Sequence, residues 1–233
     1  APFGTTLHVV GADREALASA LADTIAGRLS GAIERRGAAL LAVSGGSTPG
    51  RLFEILSSME IAWDKVTVTL VDERFVPPFS PRANAALVTG RLLQGRAATA
   101  RFGPLFRDNE SPEQAAVESG LQIASLPLPF DAVILGMGTD GHTASFFPDA
   151  AELPSLLDPS NHTTLAAVHA ASAGEPRLTL TLARIIEAAF LALHIEGEEK
   201  RGVFDRALVD GERLPIRAVL DAAPRPVEVY WAP

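Results

Sequence analysis

The length, composition and charge of the chain exclude several classes of protein. Its 233 residues are 47% hydrophobic and 21% charged, which supplies apolar material for a sizeable core and argues against disorder. No apolar run reaches the roughly 18 residues that a membrane span requires, and the net charge of -8, with scattered Lys and Arg, disfavours nucleic acid as a partner. We therefore expect a globular protein without a membrane or nucleic-acid partner, formed by a single domain over residues 1–233.

The cellular location is predicted from cysteine usage and from the first residues. Because the chain has no cysteine, it has no disulfides or thiolate zinc sites, which fits a reducing compartment. The stretch from Ala1 to Val10 lacks the basic start and the long apolar core of a secretory signal. We expect a cytoplasmic protein, and the sequence leaves its oligomeric state open.

Short runs of Val, Ile and Leu alternate with longer amphipathic stretches, as strands and crossover helices alternate in parallel α/β proteins. We predict strands at Thr6–Val10, Ala39–Val43, Val66–Val71, Phe130–Leu135, Thr164–Val168, Phe190–Ile195 and Pro226–Tyr230. We predict helices at Asp13–Arg36, at Pro49–Ser57, at Arg82–Leu93, from a Ser111/Gln114 capping box to about Ser125, and, as the last substantial helix, at Glu198–Leu208, opened by Gly197 and closed near Gly211. Ligands of such sheets bind beyond the carboxyl ends of the strands, so the loops there are the first candidates for a site.

The loop Ser44–Pro49 follows a predicted buried strand and precedes a helix. Gly45 and Gly46 let the backbone approach a ligand closely. Ser47, Thr48 and the free amides of the helix start can bind phosphate oxygens. A tight turn capped by Thr48 is the alternative. The P-loop lysine is missing, which disfavours a nucleoside triphosphate.

Asp72, Glu73 and Arg74 stand at the end of the next strand. Adjacent carboxylates there are hard to explain by packing, because a buried carboxylate is costly unless it is paired or bonded to donors. Asp72 could act as a base or orient a ligand hydroxyl, and Arg74 could bind an anion. An exposed strand end with a local ion pair is the alternative.

The segment Phe130–Thr143 carries Gly136, Gly138 and Gly141 in the spacing of a dinucleotide-binding loop. We reject a nicotinamide cofactor for two reasons. The sequence Phe147–Asp149 interrupts the long helix that such a loop should open, and no acidic residue ends the following strand.

The same glycine-rich turn carries Asp140 and His142, and it is predicted to lie at the edge of the sheet. A histidine there can accept a proton at neutral pH, and a neighbouring carboxylate can orient it. His142 could instead cap local backbone, and a metal site that also uses Asp149 would lack any recognised spacing. The remaining histidines are interpreted as structural or surface residues: His8, His162, His169 and His194.

Two cations complete the candidate residues. Arg177 precedes an apolar run, and Lys200 lies near the predicted start of a helix. The helix dipole disfavours a cation at that end, so an anionic ligand would explain the position of Lys200. Taken singly, each side chain also fits a solvated surface position.

Together these segments resemble the family of glucosamine-6-phosphate isomerases and 6-phosphogluconolactonases, and within it the lactonases. The matching segments are Ser44–Pro49, Asp72–Arg74, Gly136–Ser145, Arg177–Thr179 and Gly197–Lys200. The resemblance implies a single-domain α/β fold, a Rossmann-like three-layer αβα sandwich with a mostly parallel sheet. We expect neither a cofactor nor a metal.

The resemblance also implies an activity, the hydrolysis of a phosphorylated sugar lactone in the oxidative branch of the pentose phosphate pathway. His142 would be the general base for the attacking water, and Asp140 would orient it. Asp72 and Arg74 would line the sugar side of the cleft. The residues that would bind the substrate phosphate are Gly45, Gly46, Ser47, Thr48, Arg177 and Lys200.

Two departures from the family patterns matter. Deaminases of the family carry a catalytic Glu beside an Asn and a Pro after Asp-Gly-His, whereas Ser145–Pro148 has no carboxylate before Asp149, which favours a lactonase. A Ser-Asn pair usually follows the Asp-Glu-Arg loop of the lactonases, whereas Ala83 precedes Asn84 here, so the role of Asn84 stays open. The alternatives are an amino-sugar-phosphate deaminase or isomerase and a catalytically silent sugar-phosphate sensor.

Overall fold

A computed structural model describes residues 7–108 and 110–233. The ten strands described are β1 (Leu7–Val10), β2 (Ala39–Val43), β3 (Val66–Leu70), β4 (Asp72–Arg74), β5 (Arg101–Gly103), β6 (Ala132–Leu135), β7 (Leu165–Val168), β8 (Arg177–Leu180), β9 (Phe190–Glu196) and β10 (Glu228–Ala232). The α-helices are α1 (Arg14–Arg36), α2 (Gly50–Ser57), α3 (Asn84–Leu87), α4 (Pro112–Ala124), α5 (Leu153–Leu156), α6 (Leu182–Ile186), α7 (Gly197–Ala207) and α8 (Pro215–Ala222). Short 3₁₀ turns occupy Trp63–Lys65, Gly95–Thr99 and Ala171–Ala173, and a π-helical turn occupies Val88–Leu92.

The strands form two sheets. Seven of them make a large sheet in the order β1-β10-β9-β6-β2-β3-β5, in which every pair is parallel. The other three make a small antiparallel sheet in the order β4-β8-β7. Helices flank the large sheet, so the expected α/β fold class with a mostly parallel sheet is confirmed. That residues 1–233 form one domain stays a prediction.

Helix α1 shows how local sequence sets an element. Asp13 caps its start, because the side chain accepts a hydrogen bond from the backbone N–H of Ala16 at 2.7 Å. Gly37 ends it in the left-handed conformation, at φ 78°. Buried side chains recur every four residues and cover the sheet; they are Leu17, Leu21, Ile25 and Leu29. The predicted capping box of Ser111 and Gln114 is also confirmed, at the start of α4.

Several predicted elements need correction. The strand predicted at Thr164–Val168 is β7 of the antiparallel sheet and not a parallel strand. The helix predicted at Arg82–Leu93 is one turn of α-helix followed by a π-helical turn. Helix α7 ends at Ala207, before Gly211, and α8 follows it, so α7 is not the last substantial helix. The strands β4, β5 and β8 were not predicted, and Thr6 lies outside the described residues.

The centre of the large sheet positions the candidate site. All five residues of β2 are buried, as are all four of β6, because these strands are covered on both faces. β9, β6, β2 and β3 are neighbours in parallel, so the segments that follow them emerge at one edge. Within the described residues, no helix combines the length and the apolar character that a membrane crossing requires.

Candidate active site

A cleft of about 210 Å³ lies at this carboxyl edge. It brings together His142 and every residue that the sequence predicted to bind substrate: Gly45, Gly46, Ser47, Thr48, Asp72, Arg74, Arg177 and Lys200. Asp140 does not line the cleft, but its carboxylate contacts Nδ1 of the His142 ring. Residues far apart in sequence therefore meet in one cavity.

The glycine-rich loop after β2 forms one wall. Ser44 Oγ donates to the carbonyl of Ile134 at 2.8 Å, which ties the loop to β6. Gly46 has φ 92°, a conformation that side chains disfavour. Helix α2 follows without a side-chain cap, so Thr48 does not cap it as the alternative required. The uncapped start of α2 leaves backbone N–H groups for an anionic ligand.

The wall opposite is built on β4. The Asp72 carboxylate is buried and accepts a hydrogen bond from Ser145 Oγ at 2.7 Å. Arg74 lines the cleft, and its guanidinium donates to the carbonyl of Arg82 at 2.6 Å. Glu73 is buried, does not line the cleft and accepts hydrogen bonds from three backbone N–H groups. Among the described residues neither carboxylate of β4 forms an ion pair, so the alternative of an exposed, ion-paired strand end is wrong.

The turn after β6 carries His142. Its Nδ1 lies 2.5 Å from Asp140 Oδ1, and its backbone N–H donates to the same oxygen at 3.0 Å. Because a carboxylate only accepts, Nδ1 carries the proton of the neutral ring, and Nε2 is left as the acceptor. The ring stacks on Phe147 with centroids 4.4 Å apart. The imidazole is thus held in one tautomer and orientation, as general-base catalysis requires.

Gly138 is required by this turn. A Cβ on Gly138 would lie 2.2 Å from Cε1 of the His142 ring, so any side chain at this position would force the ring to move. Its backbone N–H also donates to the carbonyl of His142 at 2.9 Å. The glycine spacing that resembles a dinucleotide loop therefore serves to place an imidazole.

The two cations lie on different elements, Arg177 on a strand of the small sheet and Lys200 in the helix that follows β9 of the large sheet. Arg177, on β8, pairs directly opposite Arg74 on β4, and its guanidinium lies 5.2 Å from the centroid of the Phe147 ring. Burial and the nearby Arg74 lower the pKa of Arg177. Like charges placed opposite each other are unfavourable, and an anion in the cleft would relieve them. Lys200 lies in the first turn of α7, and its ammonium donates to the carbonyl of Met137.

Two further residues of the cleft wall, Asn84 and His194, were not predicted to line it. Asn84, whose role was open, is buried, and its side-chain N–H donates to the carbonyl of Asp72 at 2.9 Å. His194 is 3% exposed, and its ring nitrogens have no hydrogen-bond partner among the described residues. His194 lies inside β9 and not in the segment that follows it, so the strand-end rule did not select it. His169, interpreted as a structural or surface residue, pairs with Glu152 at 2.8 Å and does not line the cleft.

The fold and the cleft define an α/β protein with a cavity at the carboxyl edge of a parallel sheet, lined by cationic side chains and by a histidine that a carboxylate orients. The sequence profile of glucosamine-6-phosphate isomerases/6-phosphogluconolactonase matches residues 12–231. The chain belongs to this family.

Individual relatives extend the match. A 6-phosphogluconolactonase of Mesorhizobium japonicum is 64% identical over 221 residues, covering 95% of this chain and 93% of the relative. One of Rhizobium meliloti is 52% identical over 220 residues, covering 94% and 95%. The crystal structure of a 6-phosphogluconolactonase from Shewanella baltica superposes with a TM-score of 0.94 at 40% identity, covering 98% of both chains. The similarity therefore extends over nearly the whole length of each protein.

Proposed function

We propose that this enzyme hydrolyses 6-phospho-D-glucono-1,5-lactone to 6-phosphogluconate, a reaction of the oxidative branch of the pentose phosphate pathway. The similarity to proteins named 6-phosphogluconolactonase supports the substrate. The observation that carries the proposal is the oriented His142–Asp140 pair, which shares a cleft with Lys200, Arg177 and the glycine-rich loop.

The chemistry requires a base and no covalent enzyme intermediate. His142 Nε2 accepts a proton from water while the water oxygen attacks the lactone carbonyl carbon. The tetrahedral intermediate collapses, the bond from the carbonyl carbon to the ring oxygen breaks, and the imidazolium returns its proton to that oxygen. Asp140 keeps the ring oriented throughout and stabilises the imidazolium. The products are a carboxylic acid, which ionises, and a free sugar hydroxyl.

The two walls of the cleft divide the work of binding. The loop of Gly45, Gly46, Ser47 and Thr48 binds the phosphate together with Lys200 and Arg177. Asp72 and Arg74 line the sugar side, where a buried carboxylate can accept a bond from a hydroxyl. The anchored phosphate sets the distance to the carbonyl carbon and so contributes positioning rather than chemistry.

The deaminase alternative has less support. Asp149 is the first carboxylate after the Asp-Gly-His turn, and it accepts hydrogen bonds from the backbone N–H and the hydroxyl of Ser172 at 2.9 and 2.6 Å. These bonds lower the pKa of Asp149. Asp149 does not line the cleft, so among the described residues the segment after Asp-Gly-His places no carboxylate there, where a deaminase of this family carries its catalytic Glu.

The test is a lactonase assay on freshly generated 6-phosphogluconolactone, corrected for spontaneous ring opening. We expect enzyme-dependent formation of 6-phosphogluconate. Ammonia release from glucosamine 6-phosphate would indicate the deaminase instead. Tight binding of 6-phosphogluconate with no turnover of the lactone would indicate a silent sensor.

A further inference from the structure

Glu73 is a buried carboxylate that the proposed chemistry does not use. The residue is 1% exposed, and it does not line the cleft. Its Oε1 accepts the backbone N–H groups of Arg74 at 2.8 Å and of Asn84 at 2.7 Å, and its Oε2 accepts that of Ala85 at 2.9 Å. Burial raises the pKa of Glu73 to about 7, although these three bonds act in the opposite direction. Removing a carboxylate from water costs free energy, so the buried position of Glu73 must be offset by what its oxygens bind.

The three bonds join the two ends of one loop. Arg74 stands where the loop 75–83 leaves β4, and Asn84 stands where it enters α3. The bond from the Arg74 guanidinium to the carbonyl of Arg82 closes the same loop a second time. Ala83, the residue before α3, provides no side-chain cap, so the Glu73 carboxylate takes that place from the neighbouring strand.

Asn84 connects the backbone that Glu73 holds to the glycine-rich loop on the other wall of the cleft. Its side-chain Oδ1 packs so closely on Gly45 that a Cβ there would lie 2.0 Å away. Its side-chain N–H donates to the carbonyl of Asp72. The chain of contacts therefore runs from Glu73 through Asn84 to both the β4 wall and the glycine-rich loop.

We propose that Glu73 is a positioning residue: its carboxylate fixes the backbone of Arg74 and Asn84, and through Asn84 it sets the spacing between the glycine-rich loop and the sugar side of the cleft. The proposal deepens the proposed function, because it concerns the binding of the same sugar phosphate. A carboxylate that only stabilised the short helix α3 would change the melting temperature and leave substrate binding unaltered.

The first experiment replaces Glu73 by Gln. The amide keeps one acceptor oxygen but turns an N–H group toward a backbone donor, so at least one of the three bonds is lost. We expect KM for the lactone to rise roughly fivefold to tenfold, with kcat changed by less than about twofold, as for the loss of about one buried hydrogen bond that acts on binding. The matched control is Glu60→Gln, since Glu60 is exposed and outside the cleft. An unchanged KM for Glu73→Gln, with a lowered melting temperature, would overturn the proposal.

The second experiment tests the route through Asn84. In the Asn84→Ala background, Glu73→Gln should raise KM by only about twofold, because the side chain that transmits the effect is gone. If Glu73→Gln raises KM by the same factor in the parent and in the Asn84→Ala protein, the Asn84 side chain does not transmit the effect of Glu73. Dissociation constants for 6-phosphogluconate are measured on all four proteins. If the parent hydrolyses no lactone, the proposed function fails, and the same cycle in the dissociation constants still decides the positioning role.

Discussion

The two sheets contribute different parts of the candidate site. The large parallel sheet presents two loops at its carboxyl edge, which carry the glycine-rich wall and His142, and the start of α7, which carries Lys200. The small antiparallel sheet presents strand residues themselves, with Asp72 and Arg74 on β4 and Arg177 on β8. Under the proposed roles, the base belongs to the large sheet and most of the sugar recognition to the small sheet. Mutation of the base should therefore lower kcat, whereas mutation of a binding residue on either side should raise KM.

The largest effect is expected at the base. His142→Ala should lower kcat by about 10²-fold to 10⁴-fold with little change in KM, because a general base acts in the transition state and not in binding. Steady-state kinetics with the lactone measure both constants. His169→Ala is the matched control, since His169 also pairs with a carboxylate but does not line the cleft. Near-normal turnover of His142→Ala would remove this residue from the mechanism.

The same division explains what the sequence could predict. Strands of the large sheet are buried on both faces, so β2 is an uninterrupted apolar run and was placed correctly. In contrast, β4 consists of three polar residues and has no apolar pattern. Its pairing with β8 depends on tertiary packing, and so does the contact of Asn84 with Gly45. The motif residues of the cleft were therefore predictable, whereas Asn84 and His194 were not recognised as part of its wall.

The next largest effect is expected at the two cations, Arg177 on the small sheet and Lys200 in the helix that follows the large-sheet strand β9. Lys200→Ala and Arg177→Ala should each raise KM roughly tenfold to a hundredfold, as for the loss of a charged hydrogen bond of about 1.5–3 kcal/mol. Arg201→Ala is the control, because Arg201 is the neighbour of Lys200 on α7, and its guanidinium contacts Asp205 and lies over the Trp231 ring.

The dissociation constant of 6-phosphogluconate, measured for Lys200→Ala and for Arg177→Ala, tests directly whether these two side chains bind the phosphate. If both variants bind it as tightly as the parent, the phosphate assignment is wrong. If only one variant loses affinity, only one of the two cations binds the phosphate. Phosphate binding would then belong to one sheet alone, which separates the roles of the two sheets more sharply than proposed.

A smaller effect is expected from the turn that positions the base. Gly138→Ala forces the His142 ring to move, since the new Cβ would lie 2.2 Å from Cε1. We expect kcat to fall about tenfold while the protein stays folded, because a small misplacement of a catalytic group is costly. Gly103→Ala on β5 is the control, since its Cβ would meet an ordinary contact at 3.6 Å. Equal kcat values for the two variants would show that the turn does not set the position of the base.

The smallest effect on activity is expected at His194, which lines the cleft but is only 3% exposed. Burial lowers its pKa from 6.5 to about 4, so the folded protein keeps the ring neutral while the unfolded chain takes up a proton below pH 6.5. This titration therefore leaves the free energy of unfolding unchanged well above pH 6.5 and lowers it as pH falls from 6.5 toward 4, by on the order of 3 kcal/mol in all.

His194→Leu should remove this pH dependence and change kcat and KM by less than about twofold, because an apolar side chain replaces two buried nitrogens that have no hydrogen-bond partner among the described residues. Urea unfolding of parent and variant from pH 7 to pH 4 measures the difference in unfolding free energy, in which the titration of shared carboxylates cancels. A difference that stays constant over this range would contradict the neutral buried ring. A tenfold rise in KM would instead place His194 in contact with the ligand, and the large sheet would then contribute more to recognition than its loops alone.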